Sequence, residues 1–229
     1  MVLAIRLTPW TLRASGAGLG CRIQLAHGRI RSHSARVASS LSTREAGEVA
    51  IEYTRLVRTE LAGAELAELA VVDEYAGRLR AHLERNFAAI DGAHVYNAQS
   101  AEIQRLVGEM LGEVGFREEV VLTPERGFVT QARPDFFFRL SDGRGIIAEV
   151  ERGGTVNNNH DLKDIWKTHI AQDAQHLFLI VPNCNFKSDG SPREKPFVRV
   201  VHRAASFFGE PRRELDIVSL HVFGYGRAS

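Results

Sequence analysis

The sequence is poor in cysteine and has no long hydrophobic run. Only two of its 229 residues are cysteines, Cys21 and Cys184, and they lie far apart. Such a chain is not a disulfide scaffold, and we predict a reducing, cytoplasmic location. No run approaches the roughly 18 apolar residues that a membrane-spanning helix needs, so no membrane partner is expected. The chain has 44% hydrophobic and 25% charged residues, which are values typical of a globular protein.

Acidic residues and lysine are absent from the first 44 residues, which contain seven arginines. This composition is similar to that of an organelle transit peptide, but a flexible basic arm or an over-extended gene start would look the same. We predict that residues 1–41 form a disordered basic arm outside the fold. The rest of the chain has 22 basic and 28 acidic side chains. An anionic partner would therefore be held by a local patch or a metal rather than by the whole surface.

The hydrophobic pattern divides the remaining chain at about residue 97. Residues 42–97 show apolar residues at three- and four-residue spacing, which predicts two helices packed as a hairpin. From Ser100 the pattern predicts a helix, three strands, a helix, a buried strand, a helix and a strand. The first four of these strands cover residues 117–122, 128–140, 145–151 and 176–182, and the helix between the last two covers residues 160–171. Residues 98–229 are therefore predicted to form an α/β domain, a mixed β-sheet flanked by helices.

Three carboxylates fall on two of these predicted strands. Glu149 and Glu151 are two residues apart, so their side chains share one face of the strand, and a hairpin brings Asp135 opposite them. Such carboxylates repel one another unless a cation neutralises them. Ligand sets made only of oxygen favour Mg²⁺ or Mn²⁺, and an ion of this kind can activate water for phosphodiester hydrolysis. The alternative is that all three are solvated carboxylates on a strand surface.

The stretch "RPDFFF…GIIAEVE" resembles the motif of the PD-(D/E)xK nuclease superfamily, whose fold is that of restriction endonucleases. Pro134-Asp135 matches the PD element, and Glu149 matches the first acidic residue of the (D/E)xK strand. Glu151 stands where the family usually has lysine, as in the E-x-E variant of some restriction enzymes, where the second Glu acts as metal ligand or general base. The resemblance covers about residues 98–183. It implies an α-β-β-β-α-β core and a metal-dependent DNA endonuclease.

Three further residues are candidates for the same site. The resemblance implies another Glu from the helix before the first strand, and we choose Glu102 in "SAEIQRL". Glu102 could instead complement the N-terminal helix dipole. Lys163 and Lys167 are four residues apart on one helix face. There they could contact the scissile phosphate or replace the lysine that the (D/E)xK motif lacks in this sequence. The alternative is a solvated face on which Asp161 and Asp164 are their partners.

The leading hypothesis is a divalent-metal-dependent endonuclease, with Mg²⁺ or Mn²⁺ as cofactor and DNA as partner. The alternative is a catalytically inactive nuclease-fold module that binds nucleic acid or a protein, since Glu151 replaces lysine and the body is acidic. Hydrolysis of sugars by Glu149 and Glu151 ranks last, because two Glu on one strand face do not flank a substrate. Cleavage of both DNA strands would imply a homodimer, with residues 42–91 as the candidate interface. Trp166 is predicted to be a core residue rather than a base-stacking platform.

Overall fold

The computed structural model describes residues 51–96, 100–118, 120–122 and 132–228. The predicted basic arm, residues 1–41, lies outside these residues, and so does most of the connection between the first two strands of the predicted α/β domain. Within the part of the chain that is described, no helix is long and apolar enough to cross a membrane.

Most of the strands form a six-stranded mixed sheet. In chain order the strands are β1 (Glu52–Val57), β2 (Arg117–Glu118), β3 (Phe136–Ser141), β4 (Arg144–Val150), β5 (His176–Pro182), β6 (Asn185–Phe186), β7 (Pro192–Glu194) and β8 (Ser219–Tyr225). The sheet has the order β1-β8-β5-β4-β3-β2, and β6 and β7 form a separate pair that the sequence pattern did not predict. The central strands β4, β5 and β8 are parallel, whereas β1, β2 and β3 pair antiparallel with their neighbours.

Five helices lie among the described residues. They are α1 (Gly63–Arg85), α2 (Phe87–Ala93), α3 (Ser100–Glu113), α4 (His160–Ile170) and α5 (Pro196–Ala205). The start of α1 is fixed by Glu65, whose carboxylate accepts the backbone N–H of Ala62 at 2.8 Å. From α3 onward, α3, β2, β3, β4, α4 and β5 follow one another as α-β-β-β-α-β, the order that the sequence predicts.

Helices cover both faces of the sheet, and every residue of β5 and β8 is therefore buried. Alternate side chains of β4 point to opposite faces. Ile146 and Val150 join the core that includes α1 and α3, and Ile147 joins the core that includes α4 and α5. This double burial is typical of the centre of a parallel sheet. The predicted mixed sheet flanked by helices is therefore confirmed, and Glu149 lies on the α4 face.

The predicted helical hairpin of residues 42–97 is wrong for residues 52–57, and its residues 42–50 lie outside the described part of the chain. Residues 52–57 form strand β1, which pairs with β8 from Glu52↔Gly224 to Val57↔Ser219. Its sequence "EYTRLV" contains Tyr, Thr and Val, which favour strands, and pairing with β8 satisfies its backbone. The second half is helical, but it packs on the sheet and on α3. The buried residues of α1 are Leu69, Val72, Ala76, Leu79 and Leu83, so this helix face is not free to form the predicted dimer interface.

Two predicted strands are shorter in the structure than in the sequence pattern. β2 covers two residues instead of 117–122, and β3 begins at Phe136 instead of residue 128. Leu122 and Ala132 still form an antiparallel bridge, and the residues between them lie outside the described part of the chain. The β3–β4 hairpin turns through Gly143, whose φ of 66° favours glycine. The turn predicted at "SDGRG" is confirmed.

Candidate active site

Asp135 and Glu149 meet at one end of the β3–β4 hairpin. The pairing of Phe136 with Ala148 places Asp135 beside Glu149. The backbone N–H of Asp135 donates to Oε2 of Glu149 at 3.3 Å. The backbone N–H of Val150 donates to Oδ2 of Asp135 at 2.9 Å. Each carboxylate is thus held by the opposite strand, and the proximity that the hairpin predicted is present.

Lys167 of α4 forms an ion pair with Glu149. Its Nζ lies 2.5 Å from Oε1 of Glu149 and 3.1 Å from Oδ1 of Asp164. Glu149 is only 3% exposed, so water screens this ion pair weakly. The strand motif lacks a lysine, and the helix that follows the motif supplies one to the same carboxylate.

Glu151 lies just beyond β4 and is held by three other elements. Its backbone N–H donates to the Ile180 carbonyl at 2.8 Å, and its carbonyl accepts the Tyr225 hydroxyl at 3.0 Å. Its Oε2 lies 3.0 Å from Nδ1 of His160, the first residue of α4. Its carboxyl also interacts electrostatically with that of Asp164, whose pKa it raises. The backbone and the side chain of Glu151 are therefore both fixed.

Asp164 is a site residue that the sequence interpretation missed. The alternative interpretation placed Asp161 and Asp164 on a solvated face as partners of the two lysines, but these residues are 0% and 4% exposed. Asp161 faces Arg203 of α5, with 3.4 Å between Oδ2 and Nε, whereas Asp164 faces Lys167 and Glu151. The available signal was the three-residue spacing of Asp164 and Lys167, which places them on one helix face. We call Asp135, Glu149, Glu151 and Asp164 the carboxylate cluster.

Burial and mutual repulsion raise the pKa values in the carboxylate cluster. Burial, with repulsion from Asp164, raises the pKa of Glu149 to about 8 in spite of Lys167. Burial also raises the pKa of Glu151 to about 7, and that of Asp164 to about 7. Burial alone would lower the pKa of Lys167, but Glu149 and Asp164 raise it overall. One lysine therefore serves four carboxyl groups, which together would carry more negative charge than it can neutralise if all of them ionised.

Glu102 and Lys163 are not part of the carboxylate cluster. Glu102 lies on the exposed side of α3, where its carboxylate accepts a hydrogen bond from Nη2 of Arg105 at 2.7 Å. This hydrogen bond lowers the pKa of Glu102. Lys163 is exposed, and its side chain has no hydrogen bond or ion pair with other described residues. The prediction that Trp166 lies in the core is wrong, because its side chain is 58% exposed.

The carboxylate cluster has the chemistry of a site for a hard cation, but its side chains are not arranged as ligands. Carboxylate oxygens are the atoms that Mg²⁺ and Mn²⁺ prefer. Among the described residues, no group of three or more His, Cys, Asp or Glu side chains is placed to hold a metal ion. The carboxylates instead bond to backbone N–H groups, Lys167 and His160. An added cation would have to replace part of these contacts.

Comparisons with known proteins give a distant structural likeness. No protein-family model matches the sequence, and no curated protein matches it either. The crystal structure of the restriction endonuclease BglII complexed with a DNA 16-mer matches with 12% sequence identity and a TM-score of 0.45. The match covers 78% of this chain and 79% of that chain. A likeness at this level does not establish a common fold, so membership in the PD-(D/E)xK superfamily stays a prediction.

Proposed function

We propose that this chain is a divalent-metal-dependent endonuclease that hydrolyses DNA phosphodiester bonds. The observation that carries the proposal is the 2.5 Å contact between Lys167 and Glu149, beside Asp135. Two carboxylates and a lysine are the set that the resemblance to PD-(D/E)xK nucleases requires. Glu151 occupies the position at which the strand motif usually has lysine. The lysine of the set therefore comes from α4, and the two carboxylates come from the β3–β4 hairpin.

Each of these side chains has a role that its surroundings support. Lys167 would bind and orient a phosphate beside Glu149. Burial raises the pKa of Glu151 to about 7 without an ion, and a cation bound beside it would lower that pKa, so that its carboxylate could accept the proton of the attacking water. His160, at 3.0 Å from Glu151, would keep that carboxylate in position. Lys163 is exposed one helical turn before Lys167 and would contact the DNA backbone outside the reacting centre.

We assign the proposed Mg²⁺ or Mn²⁺ to Asp135, Glu149 and Glu151. When bound there, the ion would neutralise these carboxylates and polarise a phosphoryl oxygen. The raised pKa of Glu149 supports this assignment, because burial and repulsion disfavour its ionised form and an added positive charge would stabilise that form and displace the proton. Glu102 is left out of the proposed ligand set because Arg105 engages its carboxylate.

DNA as the substrate is supported by exposed basic side chains in the segment between β6 and β8. Lysines and arginines between residues 187 and 213 are mostly exposed, and such side chains can follow a phosphate backbone. Cleavage of both strands of a duplex would need a second copy of the chain. We therefore include a homodimer in the proposal, at a surface other than the buried face of α1.

A plasmid-cleavage assay tests the proposed function. Supercoiled plasmid is incubated with the wild type in Mg²⁺, in Mn²⁺ and in EDTA, and with Asp135→Asn and Glu149→Gln in each metal. We expect wild-type cleavage only with a metal, and a loss of roughly 1,000-fold or more in either variant. Circular dichroism and thermal unfolding show whether the variants are folded. Wild-type protein that cleaves neither single- nor double-stranded DNA in either metal contradicts the proposal.

A second candidate function is a nuclease-fold module without catalysis, which binds nucleic acid or a protein. The observation that favours it is the same ion pair, since Lys167 partly neutralises Glu149 without any added ion. Calorimetric titration with Mg²⁺ and Mn²⁺ separates the two candidates. The endonuclease should bind a metal, and Glu149→Gln should abolish that binding. A folded protein with no metal binding and no cleavage would be the binding module.

A further inference from the structure

A pocket of about 420 Å³ opens beside the carboxylate cluster. Its walls come from three segments, namely residues 94–96 after α2, residues 152–158 between β4 and α4, and the β6–β7 hairpin. Its volume is within the range of pockets that hold small molecules. Of the described residues that line it, none belongs to the carboxylate cluster. The pocket is therefore a separate site next to the proposed catalytic centre.

One wall of the pocket is aromatic. Tyr96 is 50% exposed, which leaves much of its ring available to a ligand. His94 is 4% exposed, and its Nε2 lies 2.8 Å from the carbonyl oxygen of Cys184. Nε2 must be the donor in that bond, so Nδ1 is an acceptor, and it has no hydrogen-bond partner among the described residues. Because Nδ1 is buried as well, this wall offers a ligand the ring of Tyr96 rather than a hydrogen bond from His94.

A second wall combines amide groups with charged side chains. The amide N–H groups of Asn157 and Asn185 donate to the Glu194 carboxylate at 3.3 and 2.9 Å. Their amide oxygens remain as acceptors, and Glu194 keeps its negative charge while both of its oxygens are hydrogen-bonded. Arg193 is exposed, and its guanidinium has no ion-pair partner among the described residues. This wall thus offers hydrogen bonds together with one cation.

The pocket and the carboxylate cluster share an edge. Arg152 directly follows Glu151, and its Nη2 donates to the carbonyl oxygen of Val95 at 2.9 Å across the pocket rim. Tyr225 donates its hydroxyl to the Glu151 carbonyl, and its ring packs edge-on against His94 at 5.2 Å. A ligand in the pocket would therefore lie against the residues that position Glu151.

The geometry points to a nucleotide pocket: we infer that it binds one nucleotide of the DNA next to the cleaved phosphodiester, with the base against Tyr96 and a phosphate at Arg193. A base has two faces that stack on aromatic rings and an edge that bonds to amides, and a guanidinium suits a phosphate. The inference rests on the proposed endonuclease function and assigns to this pocket the selection of a base at the cut.

Calorimetric titration of the full chain in EDTA tests the pocket without any cleavage. The probes are the four deoxynucleoside 5′-monophosphates and 2-deoxyribose 5-phosphate, which has no base. At least one monophosphate should bind about fivefold or more tightly than the sugar phosphate, the smallest gain expected for one stacked base. Tyr96→Ala should remove this difference, and Tyr96→Phe should keep it. Equal binding of all monophosphates and the sugar phosphate would overturn the inference.

The charge contribution has a matched control. Arg193→Ala should weaken binding of the preferred monophosphate several-fold. Arg85→Ala removes the same charge from an exposed position at the end of α1 and should leave binding unchanged. Equal losses in the two variants would show that net charge alone attracts the probe, which contradicts a built pocket.

Glu149→Gln separates this inference from the proposed function. The variant should lose plasmid cleavage and keep monophosphate binding, because Glu149 does not line the pocket. Base-dependent binding in a wild type that never cleaves DNA would refute the endonuclease and support the pocket. Cleavage by a wild type that shows no base-dependent binding would refute the pocket and support the endonuclease.

Discussion

The α1 face and the α4 face of the sheet each bury a polar cluster, and the two clusters balance charge differently. On the α1 face, a continuous chain of hydrogen bonds crosses β8 and β5, and we call its members the histidine relay: Tyr53, His221, Ser219, His176 and Glu68. Its four consecutive bonds are 2.8, 3.0, 2.8 and 2.8 Å long. On the α4 face, the carboxylate cluster has one lysine for four carboxyl groups.

The histidine relay is fully satisfied with neutral imidazoles. If Tyr53 donates to His221 and each following member donates to the next, the last N–H, that of His176, meets the Glu68 carboxylate. Arg144 also binds that carboxylate, at 3.0 Å. Burial lowers the pKa values of His176 and His221, which keeps both rings neutral. Every donor in this buried chain has an acceptor, so the chain stabilises one arrangement and needs no ion or ligand to complete it.

The carboxylate cluster has the opposite character. Its acceptors outnumber its donors, and burial and repulsion hold the pKa values of Glu149, Glu151 and Asp164 near neutrality. Groups with pKa values shifted in this way concentrate at functional sites. The comparison teaches that burial of polar residues alone does not mark a site. An imbalance of charge that an ion or substrate could correct is the more informative sign.

Among the tests that compare the two clusters, removing the lysine of the carboxylate cluster should have the largest effect. Lys167→Met should lower cleavage by roughly 100-fold or more, because a preorganised charge at the reacting phosphate is lost. Lys163→Met, one turn earlier on the same helix, should change cleavage less than fivefold, since its side chain is exposed. Plasmid cleavage under identical metal conditions measures both. Equal losses in the two variants would mean that the ion pair with Glu149 has no special role.

Breaking the histidine relay should affect stability rather than cleavage. His176→Leu leaves Ser219 and Glu68 without their partner in a buried environment, and we expect the free energy of unfolding to fall by about 2–4 kcal/mol. Cleavage per folded molecule should stay within twofold of the wild type. Urea unfolding and an active-fraction-corrected plasmid assay provide the two measurements. A variant with wild-type stability would show that the relay is not a stabilising network.

The pH dependence of stability should separate the two clusters. The folded-state pKa values of about 7 to 8 exceed the usual values of 3.8 to 4.5 for these carboxyls. The folded state therefore binds more protons at these carboxyls than the unfolded state does. The free energy of unfolding falls as pH rises from the usual pKa values towards 8. The relay histidines have pKa values below 6.5. They give stability that is present above pH 6.5 and lost as pH falls through their lowered folded values.

Between pH 6.5 and 8, the carboxylate cluster should make the free energy of unfolding depend on pH, whereas the histidine relay should not. In EDTA we expect the free energy of unfolding to fall by about 1–2 kcal/mol over this range, from a slope of about 1.4 kcal/mol per pH unit for each net proton. The fall should be smaller in Glu149→Gln, and smaller in Mg²⁺ if the ion binds the ionised carboxylates. Urea unfolding at several pH values measures this slope. A flat or rising profile in EDTA would contradict the account of the cluster.

The smallest expected effect concerns Glu102. Because its carboxylate is exposed and bound to Arg105, Glu102→Gln should change cleavage less than twofold and leave the metal dependence unaltered. The plasmid assay across a series of Mg²⁺ concentrations checks this. A strong shift in the Mg²⁺ requirement would return Glu102 to the ligand set that the sequence resemblance implies.

The sequence predicts the carboxylate hairpin well because its signals are local. The alternation in "AEVE" and the glycine turn before the strand indicate which residues face each other. Strand β5 is buried on both faces, so its unbroken apolar run from His176 to Pro182 predicts its limits correctly. β1 is short and its pattern is compatible with a helix, so only its pairing with β8 decides its structure. Such pairing partners are far away in sequence and leave no local pattern.

The burial of Asp164 and the histidine relay could not be predicted for a related reason. Asp164 lies in a helix whose sequence is mostly polar, and its burial results from β4 and Glu151 lying against it. In the relay, His176 and Ser219 are 43 residues apart and stand inside apolar strands, where each looks like an isolated polar residue. Only the parallel pairing of β5 with β8, which sets His176 opposite Ser219, brings them together.

The position of the lysine on α4 rather than on β4 has a mechanical consequence. Carboxylates on paired strands keep their spacing through the hydrogen-bond register of the sheet, whereas Lys167 is placed by how α4 rests on that sheet. One residue inserted or deleted before α4 would turn a side chain on it by about 100° and shift it by about 1.5 Å along the axis. The length of the 152–159 loop therefore determines where Lys167 lies relative to Glu149.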